Sequence, residues 1–263
     1  MNILYLNAIG LAGPGLPNWA TTRSVLAQGR NPDLPDDVAY VPQLLPPNER
    51  RRATPAVRQA FRAAEDAISA TEQPAPLFAT VFASSDADLS VSHRINTALA
   101  TPQRAVSPTD FHNSVHNAAA GYWSIATGCR EPSTAVGGYD GSFAVGLLEA
   151  ATQVASDGLN VLMVAYDVIA PAPLLDKRRL SCAASIALVL SPKPEPYSLC
   201  QVRVSLARNV ETRLPDSALE NLRLSNPALR GLPLLCLLAR GEVGHVALPY
   251  LMDRSLRVEI APV

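Results

Sequence analysis

The sequence has no pair of cysteines at metal-ligand or redox spacing. Its four cysteines, Cys129, Cys182, Cys200 and Cys236, are scattered over 263 residues. That excludes a zinc ribbon, a thioredoxin-type dithiol and a disulfide-stapled mini-domain, and points to reduced thiols in a cytoplasmic setting. Charge of one sign is missing as well. The formal net charge is -1, so no electrostatic footprint for nucleic acid or an anionic membrane is present. The longest apolar runs, 161–166 and 185–190, are far too short to span a bilayer. The opening MNILYLNAIGLAGPG lacks a basic n-region and reads as a strand and glycine turn, not a signal peptide. Glycine is scarce beside proline, 14 against 23, and proline clusters at 42–47, 74–76, 171–173 and 192–196 mark loops. The glycines of IGLAGPG fit neither the dinucleotide nor the P-loop spacing.

What is present is a βα alternation. Residues 2–9 form a first strand, and 11–53 reads as irregular and proline-rich. In 55–70, Val57, Phe61, Ala64 and Ile68 fall on one helical stripe behind Thr54 as cap and Pro55 at the first helical position. LFATVFAS (77–84) is a buried strand and 91–100 a helix. Residues 107–128 read as one capped helix ending on Gly128, followed by the strand STAVGGY, a helix ending at Gly158, and the strand LNVLMVAYDV. SIALVLS (185–191) adds another strand, and past Pro196 the pattern loosens into QVRVSLAR as a strand, a helical stretch within 217–240 and a last strand in SLRVEIAP. This order predicts an α/β fold with a partly parallel sheet.

Asp140, at the corner of AVGGYDGSF between a strand and a helix, is where α/β enzymes often expose a nucleophile. The positive end of a helix favours an anion there, so a cysteine would be activated, whereas a carboxylate serves as an N-cap and accepts an acyl group poorly. Ser142 lacks the G-x-S-x-G context and reads as structural. His112 and His116 are one helical turn apart, but HNSVH lacks the glutamate of a zinc helix, so helix packing is the better reading and no metal is expected. His93 and His245 have no partner visible in the sequence, and Arg50–Arg52 with Arg58 and Arg62 make a basic patch that is either a solvated face or a dock for an acidic partner.

The block from Ser107 to Asp167 resembles the N-terminal half of beta-ketoacyl-(acyl carrier protein) synthases. The resemblance is carried by Ser107–Pro108, Asn117, Ala120–Gly121, Gly128 and Pro132–Ser133, and extends more weakly to 50–70 and 77–84. It implies a thiolase-like α/β fold, with the N-terminal half retained over 1–195 and an abbreviated C-terminal half over 196–263, packed as one unit. Laid without gaps from Ser107, the family's catalytic cysteine falls on Asp140, and the HGT and NxFGFGG contexts of the family's histidines are missing. A shortened chain without that catalytic cysteine resembles the chain-length-factor partner of a ketosynthase, in the short form that accompanies aryl polyene synthases. That implies no cofactor, a heterodimer with a catalytic ketosynthase, and contact with acyl carrier protein. It also implies acyl-tunnel or interface positions at Asp110, Phe111, His112, Ser114 and Val115, and at Ser133, Thr134, Ala135 and Val136. The alternatives are a self-sufficient acyltransferase or hydrolase using Ser142, Cys129 or Asp140, and a docking scaffold with the same fold.

Overall fold

The computed structural model describes residues 3–29, 40–208 and 210–263. One mixed sheet of eight strands runs through the described residues in the order β3-β2-β4-β5-β1-β6-β8-β7. The strands are β1 (Leu4–Ala12), β2 (Ala79–Ala83), β3 (Ser133–Val136), β4 (Val161–Asp167), β5 (Ala184–Ser191), β6 (Cys200–Ala207), β7 (Gly244–Leu251) and β8 (Arg254–Ala261). β3, β2 and β4 are mutually parallel, and every other pairing is antiparallel. The stretch beyond 196 adds its three strands to this same sheet through the β1–β6 pairing.

Helix α3 (Pro55–Ser69) and helix α6 (Ala118–Thr127) cover one face from β2 to β1. Helices α1 (Trp19–Ala27), α7 (Ser142–Asp157) and α10 (Leu232–Arg240) cover the other face. α3 begins as its sequence indicates, with Thr54 Oγ1 accepting from the Val57 N–H and Pro55 at the first position. Its stripe of Ala60, Ala63, Ala64 and Ala67 is fully buried and lies so close to β1 that a Cβ on Gly10 would stand 1.9 Å from the Ala63 carbonyl oxygen. Gly10 is therefore inside a strand and not in the turn expected after residue 9. The missing side chain admits the helix.

Three further expectations change. Residues 11–53 are not irregular throughout. Asn18 caps α1, accepting from the Thr21 N–H at 2.8 Å, and α2 (Pro47–Arg52) opens on a proline, while 30–39 lie outside the described residues. The single helix expected over 107–128 is two, α5 (Pro108–Asn113) and α6. The Asn113 amide turns back to the carbonyls of Thr109 and Arg52, and the Ser114 hydroxyl donates to the Phe111 carbonyl, which closes α5 before α6 begins. The helical stretch expected within 217–240 is α10 and the last strand is β8, but α9 (Ser217–Ser225), a short 3-10 turn capped by Asn226, and β7, which pairs with β8 as a hairpin, are additions. Helices α4 (Leu89–Leu99) and α8 (Ala172–Leu175) complete the set. No helix among the described residues is long and apolar enough to cross a membrane.

Candidate functional site

Three parallel strands end on acidic loops. β2 runs into Ser84–Ser85–Asp86, β3 into Gly137–Gly138–Tyr139–Asp140, and β4 ends on Asp167. The carboxyl ends of parallel strands are where open α/β sheets gather their sites, and here the three loops meet. Arg178, from the loop between β4 and β5, ties two of them together. Its Nη1 donates to Asp140 Oδ1 at 2.7 Å, its Nε donates to Asp86 Oδ2, and its guanidinium lies 4.0 Å over the Tyr139 ring. Burial alone would lower its pKa, but the hydrogen bonds it donates to Asp140 and Asp86 win and raise it. Tyr139 has φ of +52°, in the left-handed region where a bulky residue is strained, and the stacked arginine helps hold it there.

Asp140 faces a second cation. Arg230 Nη2 is 3.6 Å from its Oδ2. The carboxylate is spanned by two arginines and does not act as the helix cap expected from the sequence: α7 has Gly141 at its N-cap and no side-chain cap. The reason is geometric, because the charge-assisted bond to a nearly buried guanidinium outcompetes a backbone N–H. Gly141 is needed too, since a Cβ there would stand 2.6 Å from the Tyr250 carbonyl oxygen, so β7 presses directly on the corner.

Asp167 is buried, with Oδ1 accepting from the Ser84 hydroxyl at 2.9 Å and from the Ser85 N–H at 2.8 Å. Burial pushes its pKa up to about 7, the serine hydrogen bonds oppose the rise, and neighbouring Asp86 adds to it. His116 Nε2 lies 3.1 Å from the Ser84 carbonyl, beside Gly137. His112 instead meets the Tyr122 ring edge-on at 5.8 Å, so the two histidines sit on different neighbours.

The alternative nucleophiles are occupied. Ser142 is 1% exposed; its hydroxyl donates to the Tyr139 carbonyl at 2.7 Å and accepts from the Gly138 N–H at 3.0 Å. Cys129 is buried with Sγ donating to the Phe78 carbonyl. Burial also pushes the thiols of Cys200 and Cys236 up, to about 12 and about 11.

The positions expected at a tunnel or interface fall in two places. On α5, Asp110 is paired with Arg94 at 2.7 Å, and Phe111 stands 71% exposed with Val115 half exposed beyond it. Beneath Asn113, Val115 and His116 lies a cavity of only about 10 Å³. On β3, Ser133 Oγ accepts from the Thr80 hydroxyl at 2.8 Å and Thr134 Oγ1 from the Gln153 amide at 3.0 Å, while Ala135 and Val136 are half-buried. β3 pairs only with β2 among the described residues, so its outer edge is open. The residues that sequence reasoning missed are Asp86, Asp167, Arg178 and Arg230. A signal existed for the acids, since VFASSD, VGGYD and VAYD each carry a strand into an aspartate; the two arginines come from loops with no such mark.

No curated protein matches the sequence. Among solved structures, the chain superposes on one from the complex of the ketosynthase ApeO with its chain length factor ApeC from Xenorhabdus doucetiae. The TM-score is 0.75 at 20% identity, covering 98% of this chain and 100% of that one. It superposes on a chain of the ishigamide ketosynthase/chain length factor with a TM-score of 0.77 at 11% identity, covering the whole of both. A ketosynthase from module 6 of the bacillaene synthase of Bacillus subtilis 168 gives 0.57 at 12% identity, over 80% of this chain but 45% of that longer one. The fold is thus thiolase-like, with the second half of the larger ketosynthases abbreviated. Residues 19–230 match the family described as Beta-ketoacyl synthase, N-terminal domain, and the chain belongs to that family.

Proposed function

We propose that this chain is a non-catalytic, chain-length-factor-like subunit of a heterodimeric beta-ketoacyl-(acyl carrier protein) synthase. In this reading a catalytic ketosynthase carries the chemistry, acyl carrier protein delivers the chain in the cytoplasm, and this subunit shapes the acyl tunnel of an aryl polyene pigment pathway. The observation that carries it is Asp140. Claisen condensation needs a thiolate that becomes acylated and imidazoles that stabilise the enolate and oxyanion. The position matching the family nucleophile instead holds a carboxylate engaged by Arg178 and facing Arg230. A carboxylate held this way cannot form the acyl-enzyme thioester.

The surroundings favour pairing over independent action. The cavity beside α5 is far too small for an acyl chain, so a tunnel at Phe111 and Val115 needs walls from a second chain. The open edge of β3 offers that chain backbone hydrogen bonds. In such a tunnel the length limit is steric, since each two-carbon unit needs volume that packed protein yields only at a cost.

Co-expression with a catalytic ketosynthase from the same source, followed by size-exclusion chromatography and intact-mass analysis after incubation with acyl-thioester, tests the reading. A one-to-one complex, acylation on the partner only, and longer products from Phe111→Ala are expected. Acylation and extension by this chain alone would refute it.

A further inference from the structure

The Asp140 corner is richer in donors than its own carboxylate uses. Arg178 has a side chain only 9% exposed, and its Nη2 has no hydrogen-bond partner among the described residues. Arg230 Nε is likewise buried and unpartnered. Arg230 is held less tightly: burial, then the like charge of Arg223, lower its pKa against the opposing pull of Asp140, Glu211 and Glu220, and its link to Asp140 is a 3.6 Å approach without a close hydrogen bond. Two residues past Asp140 the 16-residue α7 starts with no side-chain cap, so the positive end of its dipole adds to the potential at the corner. Asp140 itself is half exposed, which leaves a route from solvent to the place its carboxylate fills.

We propose that Arg178 and Arg230 form a binding site for a small carboxylate, and that Asp140 is its built-in ligand. The corner is then closed by occupation as well as by the loss of sulfur: an acyl carbonyl or carboxylate arriving at the strand–helix turn meets a space that the Asp140 side chain already fills. This deepens the non-catalytic reading and rests on it for biological meaning only, because carboxylate binding is measured on the isolated chain without a partner.

Thermal melting of the full chain, of Asp140→Ala and of Asp140→Asn, in sodium formate against sodium chloride of equal ionic strength, tests it. Asp140→Ala should melt about 3–8 °C lower than the parent, and formate should restore a saturable part of that loss that chloride does not. The parent and Asp140→Asn, whose side chains still fill the space, should respond to formate no more than to chloride. Adding Arg178→Met to Asp140→Ala should abolish the formate response. If Asp140→Ala does not stay folded at low salt, its refolding yield in formate against chloride gives the same answer. An equal formate response in parent and Asp140→Ala, or a formate response that survives loss of Arg178, would overturn the proposal. Its failure would leave the pairing experiment intact.

Discussion

The sheet is two different structures sharing one set of hydrogen bonds. From β2 to β1 its strands are buried on both faces: every residue of β2, β4 and β5 is buried, and so are eight of the nine in β1. From β6 to β7 burial is partial: it alternates along β6 and most of β8, with Val202 and Val204 inward and Arg203 outward, and β7 is buried only at Val246, Ala247 and Leu248. The core that α3 and α6 build draws strand residues from β1, β2, β4 and β5 and none from β6, β7 or β8. The lesson is that the β2-to-β1 end is a complete double-sided layer, while β6, β8 and β7 form a less covered extension of the same sheet. The acidic corner lies at the double-sided end, where three parallel strands deliver their loops.

That contrast is most sharply broken at two in-strand glycines. Gly10→Ala puts a methyl group 1.9 Å from the Ala63 carbonyl oxygen and 2.8 Å from the Ala67 nitrogen, both backbone atoms of a buried helix. Neither can swing aside, so α3 must separate from β1 along the alanine stripe. The expected loss is about 3 kcal/mol or more, read as a lowered urea midpoint or as insoluble protein. Stability within about 0.5 kcal/mol of the parent would mean the two layers are not tightly packed.

A smaller effect comes from the acid at the end of β4. With its pKa near 7 in the fold and near 4 when unfolded, Asp167 keeps a proton in the native state that the unfolded chain has already lost. Stability therefore falls as pH rises from about 4 to about 7, and the full penalty, on the order of a few kcal/mol, persists above that window. Asp167→Asn keeps the shape of the protonated acid and cannot ionise. It should be more stable than the parent at pH 8, with the gap closing toward pH 5. Parallel pH profiles for the two proteins in urea titrations would show that Asp167 titrates normally.

Legibility in the sequence followed the same division. Continuous apolar runs such as VLMVAYD and SIALVLS announced doubly buried strands, because a strand covered on both sides has no polar period to hide it. Helix α3 was legible for a local reason, the Thr54–Pro55 start and one apolar stripe. Strand β7 was not: GHVALPYL carries a proline and a glycine, and its pairing depends on β8 and not on local signals. The break after Asn113 was invisible because its cause is a side-chain amide reaching Arg52, 61 residues away. At the site, Asp140 was marked by the strand–helix corner, but its role was misread as a cap. What decides it is Arg178, 38 residues on, whose approach is set by the β4–β5 loop.

The smallest effects belong to the less covered end. Gly244 opens β7, and a Cβ there would rest 3.6 Å from Leu237 Cδ1, an ordinary contact. Its counterpart Gly10 has no such room. Gly244→Ala should thus be neutral or stabilise by up to about 0.5 kcal/mol, since alanine narrows the unfolded ensemble without strain in the strand. On the open face, Arg203 sits directly across from Glu259, and Glu259 from His245, a charged row over three strands that water screens. Arg203→Ala should change stability by no more than about 0.5 kcal/mol. A loss of 2 kcal/mol or more from Arg203→Ala, on the scale of a buried truncation, would show that something covers this face in solution.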